Sequence, residues 1–439
     1  MTSDDPESPG RRPWRDLAGW VAIVLAGLAL TWLADRGGAR LGTGAAPFLG
    51  SYHWRFTPAS LLAPAVAAGL LWLAARGWHE RARWPAVLVA GYAGALAWTL
   101  ALAVGDGTAG LTRPLASPDG HLADVADVGD DPLAYFRDFL QHTGDQSPAT
   151  RGHPPGPLLL LWGLHRIGVT DRLALAVLVA ALGALFVPLV LSAVRGVCGE
   201  IPGRRYAPVL ALAPYAIWLA AGMDAVPAVL GAAMVAAGVR ASDARRTGLR
   251  AAGWSVVAGL LLGTAALFSY AMPWLGLSVA CLYFARRRAG LNLVTAAAAL
   301  LPVGAAQLLG FGWVDGLLSA LDDFATRVEP HRSVLWWSAI SLVALVLAAG
   351  PPLYASLRKV RNTPGWPFLV GAGAAVVFSL AAGLARGGVE FAWLPFFSWL
   401  TVAAVAPERQ AGPPVPSPLL LVAAGAATAI VIRSALVAA

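Results

Sequence analysis

A chain of 439 residues that is 58% hydrophobic and only 13% charged, with a mean hydropathy of +0.65, is excluded from the ordinary soluble globules. Its formal charge of +8 would suit a nucleic-acid binder on a soluble surface, but the cations sit in short segments between apolar runs, which points to a membrane and away from nucleic acid. Two cysteines, Cys198 in a basic loop and Cys281 in an apolar run, suggest neither a disulfide nor a thiolate metal site.

In chain order, Arg11, Arg12 and Arg15 precede an apolar run that is long for a cleavable signal and lacks a small-x-small cleavage site, so it reads as a retained first helix. Spanning helices are predicted at about 17–34, 59–75, 85–105, 172–194, 206–221, 223–239, 251–267, 270–285, 291–310, 334–355, 366–384, 391–406 and 417–436. That makes about thirteen, each long enough or nearly so to cross a ~30 Å hydrocarbon core. The predicted fold is all-α: one polytopic transmembrane helical bundle over residues 1–439, with its N-terminus inside and no large soluble appendage.

The segment "HPPGPLLLLWGLHRIG", residues 153–168, is left out of that count because it offers only about ten apolar residues between Gly156 and His165. Runs of that length are more often interfacial or re-entrant than spanning. Charge placement supports the choice. If the segment does not cross, the predicted cytoplasmic loops hold 20 of the 32 Lys and Arg residues, and 12 remain elsewhere. If it crosses, every later basic loop moves outside and the asymmetry inverts, against the positive-inside rule.

The non-crossing topology gives the exterior two long loops. Residues 106–153 hold eight aspartates, no glutamate and three arginines, and residues 311–333 form the second loop. Within the first, "DPLAYFRDFLQH" places Leu133, Phe136, Phe139 and Leu140 at helical spacing, as in an amphipathic helix lying on the membrane or packed on the bundle. Long loops on one face are where function concentrates. The spans are nearly free of ionisable residues apart from Arg433, which argues against an ion-coupled pump.

Several residues on that face could carry chemistry. Asp106, Asp119 and Asp124 are carboxylates at a membrane surface, each able to act as a base or simply to solvate the loop. Arg113, Arg151 and Arg332 have the guanidinium geometry that grips phosphate, or ordinary lipid headgroups. Asp224 falls in a hairpin between closely spaced apolar runs, as a turn residue or a pocket acid, and Glu390 opens a helix as a cap or a functional acid. No Gly-rich phosphate loop is present, so no nucleotide site is expected, and nothing supports a divalent metal or other cofactor.

The order of an acidic loop with an amphipathic helix, then "GHPPGPLLLL", then many helices, resembles the GT-C superfamily of integral membrane glycosyltransferases. It is most similar to the branch that includes protein O-mannosyltransferases and lipid A aminoarabinose transferases. There a loop Asp-Glu pair precedes a motif resembling His/Lys-Pro-Pro-Leu-Tyr-Tyr, which His153, Pro154 and Pro155 match here. "APYAIWLAAGMDAVPAVL" resembles that branch's Ser/Ala-Pro stretch followed by an exterior Asp, carried over to Asp224. Together with "LFSYAMPWLG" and "VEFAWLPFFSWL", which add Tyr270 and Trp393, the chain resembles uncharacterised actinobacterial members. It departs from the pattern in lacking the Asp-Glu pair, for which Asp119-Gly120, 34 residues before His153, is the nearest match, and in lacking an arginine after Glu390.

What the resemblance implies is transfer of a sugar from a polyprenyl-phosphate donor to an acceptor on the outer face of the cytoplasmic membrane. Asp119, Asp124 or Asp106 would be the base, and Arg113, Arg151, His153, Asp224, Tyr270, Arg332, Glu390 and Trp393 would bind substrate. The partners would be the lipid-linked donor and membrane lipids. The alternatives are a transporter or flippase of lipid-linked intermediates, or a non-catalytic scaffold of the same fold.

Overall fold

The computed structural model describes residues 12–406, apart from 221 and 362, and residues 418–438. Arg11 and Arg409, counted among the cytoplasmic cations above, lie outside them. The protein is an all-α polytopic membrane protein; the sole sheet among the described residues is a short antiparallel pair, Gly50–Tyr52 with Leu436–Ala438, in which Ser51 faces Val437.

Among the described residues six helices are long and apolar enough to cross a membrane: Pro13–Arg36, Pro58–Ala75, Trp84–Asp106, Arg172–Cys198, Gly248–Ala266 and Leu291–Leu308. Shorter apolar helices, Ala225–Ala241, Met272–Ala285, Trp366–Ala381 and Leu419–Ala435, occupy four more of the expected spans. A seventh long stretch is bent by 99° where Trp313–His331 meets Val334–Ala349.

Three expected spans are interrupted, and in two of them proline is the reason. The stretch at 206–221 divides into Glu200–Ala211 and Ala216–Leu219 around Pro214, and the stretch at 391–406 into Val389–Ala392 and Phe397–Leu400 around Pro395. Proline removes an N–H and clashes with the preceding turn. Irregular backbone is tolerated at membrane depth where protein covers it, and here Trp218, Phe396, Phe397 and Trp399 are fully buried. Likewise Val334–Ala349 stops at Gly350, whose φ of 74° sets up the restart at Pro351–Leu357.

Small residues bring the helices together. A Cβ on Gly259 would lie 2.3 Å from the Thr295 carbonyl oxygen, and one on Gly263 would lie 2.2 Å from that of Ala299, so Gly248–Ala266 and Leu291–Leu308 meet backbone to backbone. Ala225–Ala241 is the most enclosed of the bundle helices, with twelve buried residues among its seventeen. Asp224 stands at its first turn, which fixes that carboxylate at the end of the bundle's central element.

Candidate active site

The 106–153 segment folds as a chain of short helices, Thr108–Ala116, Pro132–Arg137, Phe139–His142 and Pro148–Arg151, with a 3-10 stretch at His121–Val128. Its amphipathic part is seated on the bundle: Tyr135 and Phe139 are buried, and Phe136 and Phe139 pack on Phe311 at ring distances of 5.6 and 5.7 Å. Asp131 caps this part by accepting the Leu133 and Ala134 N–H groups.

Pro154 and Pro155 lead into Gly156–Arg166, an eleven-residue helix. At 1.5 Å per residue it is about 16 Å long, roughly half a hydrocarbon core. Proline at its start costs no helical hydrogen bond. The helix is docked by the Gly156 N–H, which donates to the Leu267 carbonyl at 3.0 Å. A Trp162 indole bond to the Gly129 carbonyl and an Arg166–Asp130 ion pair, at 2.9 and 2.7 Å, tie its far end to the acidic segment.

His153 is held at this threshold by two contacts. Its Nδ1 donates to the Ala149 carbonyl at 2.7 Å, which leaves Nε2 facing the Asp224 carboxylate at 3.6 Å, an ion-pair distance. The ring of His121 meets that of His153 edge-on, with centroids 5.2 Å apart, and its Nδ1 lies 3.2 Å from the Thr150 hydroxyl. Burial works against a proton on His153, but the Asp224 carboxylate and the Ala149 carbonyl outweigh it and raise its pKa above the ordinary value. Burial and the neighbouring His153 charge push His121 down to about 3. Burial would lift Asp224, but His153 and then His121 outweigh it and hold that carboxyl below its usual range. The array therefore favours the protonated form of His153, between a His121 ring whose protonation is disfavoured and a carboxylate whose ionised form is favoured.

The three candidate bases fall in different environments. Asp124 is buried, and its two oxygens accept the Ser147 N–H at 3.1 Å and the Ser147 hydroxyl at 2.6 Å, so it holds the start of Pro148–Arg151 in place. Asp106 is clamped by Arg55, with Arg113 at 3.4 Å and Arg433 at 3.5 Å from the same carboxylate oxygen. The carboxylate is engaged by these guanidiniums and is not open to an acceptor hydroxyl. Asp119 is exposed and its carboxylate has no partner among the described residues, while its backbone carbonyl accepts the Ala149 N–H at 3.0 Å. Asp119 and His153 thus bind opposite ends of one residue, Ala149.

Arg151 pairs with Asp323 at 2.9 Å; Asp323 is also 2.9 Å from Arg327, which joins the two expected exterior loops. The remaining predicted residues lie elsewhere. Glu390 is buried, accepts the Leu49 N–H at 3.1 Å through one oxygen and leaves the other without a partner. Burial pushes its pKa up to about 7, with Arg332 opposing. Arg332 donates to the Arg386 carbonyl at 2.8 Å. Trp393 is buried with its indole on the Ser379 hydroxyl at 2.9 Å, and Tyr270 packs edge-on against Trp313 at 5.5 Å. Among the described residues no group of three His, Cys, Asp or Glu could hold a metal ion.

Sequence reasoning missed His121, Ser147, Thr150 and Arg55. His121 had the clearest signal, two residues from Asp119 in "SPDGH". Ser147 and Thr150 are ordinary hydroxyl residues whose use depends on which segment folds over them.

No protein-family profile matches this chain, and no curated protein matches it. Among solved structures it is similar to the crystal structure of ArnT from Cupriavidus metallidurans in the apo state, with 18% identity and a TM-score of 0.42 over 63% of this chain and 54% of ArnT. It is similar as well to ArnT from Cupriavidus metallidurans bound to undecaprenyl phosphate, with 16% identity and a TM-score of 0.43 over 65% of this chain and 58% of ArnT. The chain thus spans less than two thirds of the length of the structures it matches. Both TM-scores fall short of the level at which a common fold follows.

Proposed function

We propose that this protein is a membrane glycosyltransferase that moves a sugar from a polyprenyl-phosphate carrier to an acceptor at the outer face of the cytoplasmic membrane. In this topology the N-terminus is cytoplasmic, and residues 106–153 and 311–333 lie outside. The observation that carries the proposal is the meeting of His153, Asp224 and the Asp119 turn of the loop at one end of the bundle, beside a short docked helix. These are the positions that the "GHPPGP", "GMDAVP" and "SPDGH" motifs single out.

Asp119 is the base in this reading. It alone of the three candidates is exposed and without a side-chain partner among the described residues, so it can take the proton of an acceptor hydroxyl as the carbon–oxygen bond forms at the sugar. The bond that breaks joins the anomeric carbon to the carrier phosphate, and the electron pair leaves with the phosphate. The His153 cation, held by Asp224, is the group suited to stabilise that growing negative charge. Asp124, through Ser147 and Thr150, positions the segment that bears Arg151 and His153.

The test is consumption of a panel of polyprenyl-phosphate sugars by the full chain in proteoliposomes. Transfer by the native protein that is lost in Asp119→Asn and strongly reduced in His153→Gln supports the reading. Full transfer by Asp119→Asn sinks the mechanism, and movement of intact donor across the bilayer without consumption makes the protein a flippase instead.

A further inference from the structure

The most basic loop of the chain, residues 240–250, frames a groove that the proposed transfer does not use. It has a volume of about 750 Å³ and is lined by Arg245, Arg246, Arg250, Gly253, Trp254 and Val257, with Asp243 and Leu249 at its edge. It lies beyond the last turn of Ala225–Ala241, whose first turn holds Asp224. Seventeen residues at 1.5 Å separate the two, about 25 Å, so the groove and the candidate active site sit at opposite ends of one helix.

Three features say what the groove would hold. Its charge is unbalanced: three arginines face one acid, Asp243, which reaches Arg246 at 4.0 Å, while the guanidiniums of Arg245 and Arg250 have no partner among the described residues. Its charge and apolar surface are ordered along Gly248–Ala266. Arg246 and Arg250 stand at the start, and Gly253, Trp254 and Val257 follow one and two turns later on the same side. Trp254 itself lies under Arg246 and Arg240 at 5.5 and 4.9 Å, which fixes an aromatic surface at the border of the two zones. Finally, the floor is open: a Cβ on Gly253 would meet nothing within 4 Å, and Leu249 and Val257 are 91% and 40% exposed. The volume lies within the ~300–1,000 Å³ of small-ligand sites.

We propose that this groove binds an anionic phospholipid of the surrounding bilayer, with its phosphate on Arg245, Arg246 and Arg250 and an acyl chain laid along Gly253 and Val257. A free phosphate would satisfy the arginines but leave the apolar half empty. A neutral lipid would fill the apolar half but leave the cations unpaired. Only a molecule with both parts in this order matches the groove, and at a membrane surface the anionic phospholipids supply it.

The experiment is native mass spectrometry of the purified full chain equilibrated with equal amounts of dioleoyl phosphatidylglycerol and dioleoyl phosphatidylcholine. The native protein should retain the phosphatidylglycerol in excess. Arg245→Gln/Arg250→Gln should weaken that retention roughly thirtyfold. Gly253→Leu should weaken it as well, because the side chain enters open space and obstructs the acyl chain while every arginine stays. Arg287→Gln removes a charge outside the groove and should leave retention unchanged. Equal retention by the native protein and the double variant overturns the proposal, as does an equal loss in Arg287→Gln, which would mean that the whole basic face attracts lipid. Inorganic phosphate bound alike by the native protein and Gly253→Leu, with no lipid retained, would assign the groove to a free anion and also overturn it.

Discussion

His153 presents Nε2 to the Asp224 carboxylate at 3.6 Å, and its other nitrogen is committed to the Ala149 carbonyl. Each partner displaces the other's titration: His153 is raised above 6.5 and Asp224 lowered below 3.8. The stability that His153 adds is fully present below pH 6.5 and is lost as the pH rises through its raised value. The stability from Asp224 is present above 3.8 and is lost as the pH falls through its lowered value. Melting temperature should therefore be greatest between these limits. In Asp224→Asn the alkaline fall should begin at lower pH, because His153 then loses its proton earlier. An unchanged alkaline limb in Asp224→Asn would mean that the pair does not form.

The three loop aspartates should separate in a paired measurement of stability and transfer. Asp119→Asn should lower transfer about 10²–10⁴-fold, the range for a lost general base, with no change in melting temperature, because no protein group depends on its carboxylate. Asp124→Asn should destabilise by about 1–3 kcal/mol, since it turns an amide toward the buried Ser147 donors. Asp106→Asn should cost about 3–5 kcal/mol, as it leaves Arg55 and Arg433 uncompensated in a largely buried setting. Thermal unfolding and donor turnover measured on the same preparations distinguish the three.

That separation could not be read from the sequence, and the reason is physical. Hydropathy and the placement of cations are sums over many residues, so the all-α membrane bundle and most of its helices are legible from composition and periodicity. Whether a particular aspartate is free depends on single contacts across long separations: Asp106 on Arg433, Asp124 on Ser147, Asp119 on nothing. The prolines at 214 and 395 were visible, but an interrupted span and a continuous one have the same hydropathy. Glu390 and Trp393 follow their motif in the sequence, yet in the fold they share no partner with His153.

The threshold of the short helix depends on one missing side chain. At Gly156 a Cβ would sit 2.3 Å from the Leu267 carbonyl oxygen and 3.0 Å from the Phe268 ring. Gly156→Ala should therefore push the helix off its dock, at a cost of about 1–3 kcal/mol, although alanine is the better helix former. The displacement should reach His153, three residues earlier, so transfer should fall together with melting temperature. Gly163→Ala, where a Cβ meets nothing, serves as the control and should be neutral or slightly stabilising.

Glu390 loses stability in the same direction as His153, with rising pH, but from a buried acid and in its own window. Its buried carboxyl is raised from 4.5 to about 7, chiefly by burial, with one oxygen on the Leu49 N–H and the other unpartnered. Between pH 4.5 and about 7 the folded chain holds a proton that the unfolded chain has released, so stability falls as pH rises across that window and levels off above it. Glu390→Gln keeps an acceptor for Leu49 and cannot ionise. It should match the native protein near pH 5, exceed it in melting temperature at pH 8, and lose the slope between. Should the variant prove less stable at pH 8, the Glu390 carboxylate would have to be paired in the folded protein, with Arg332, the cation whose field already opposes its protonation, as the partner to examine by a second substitution.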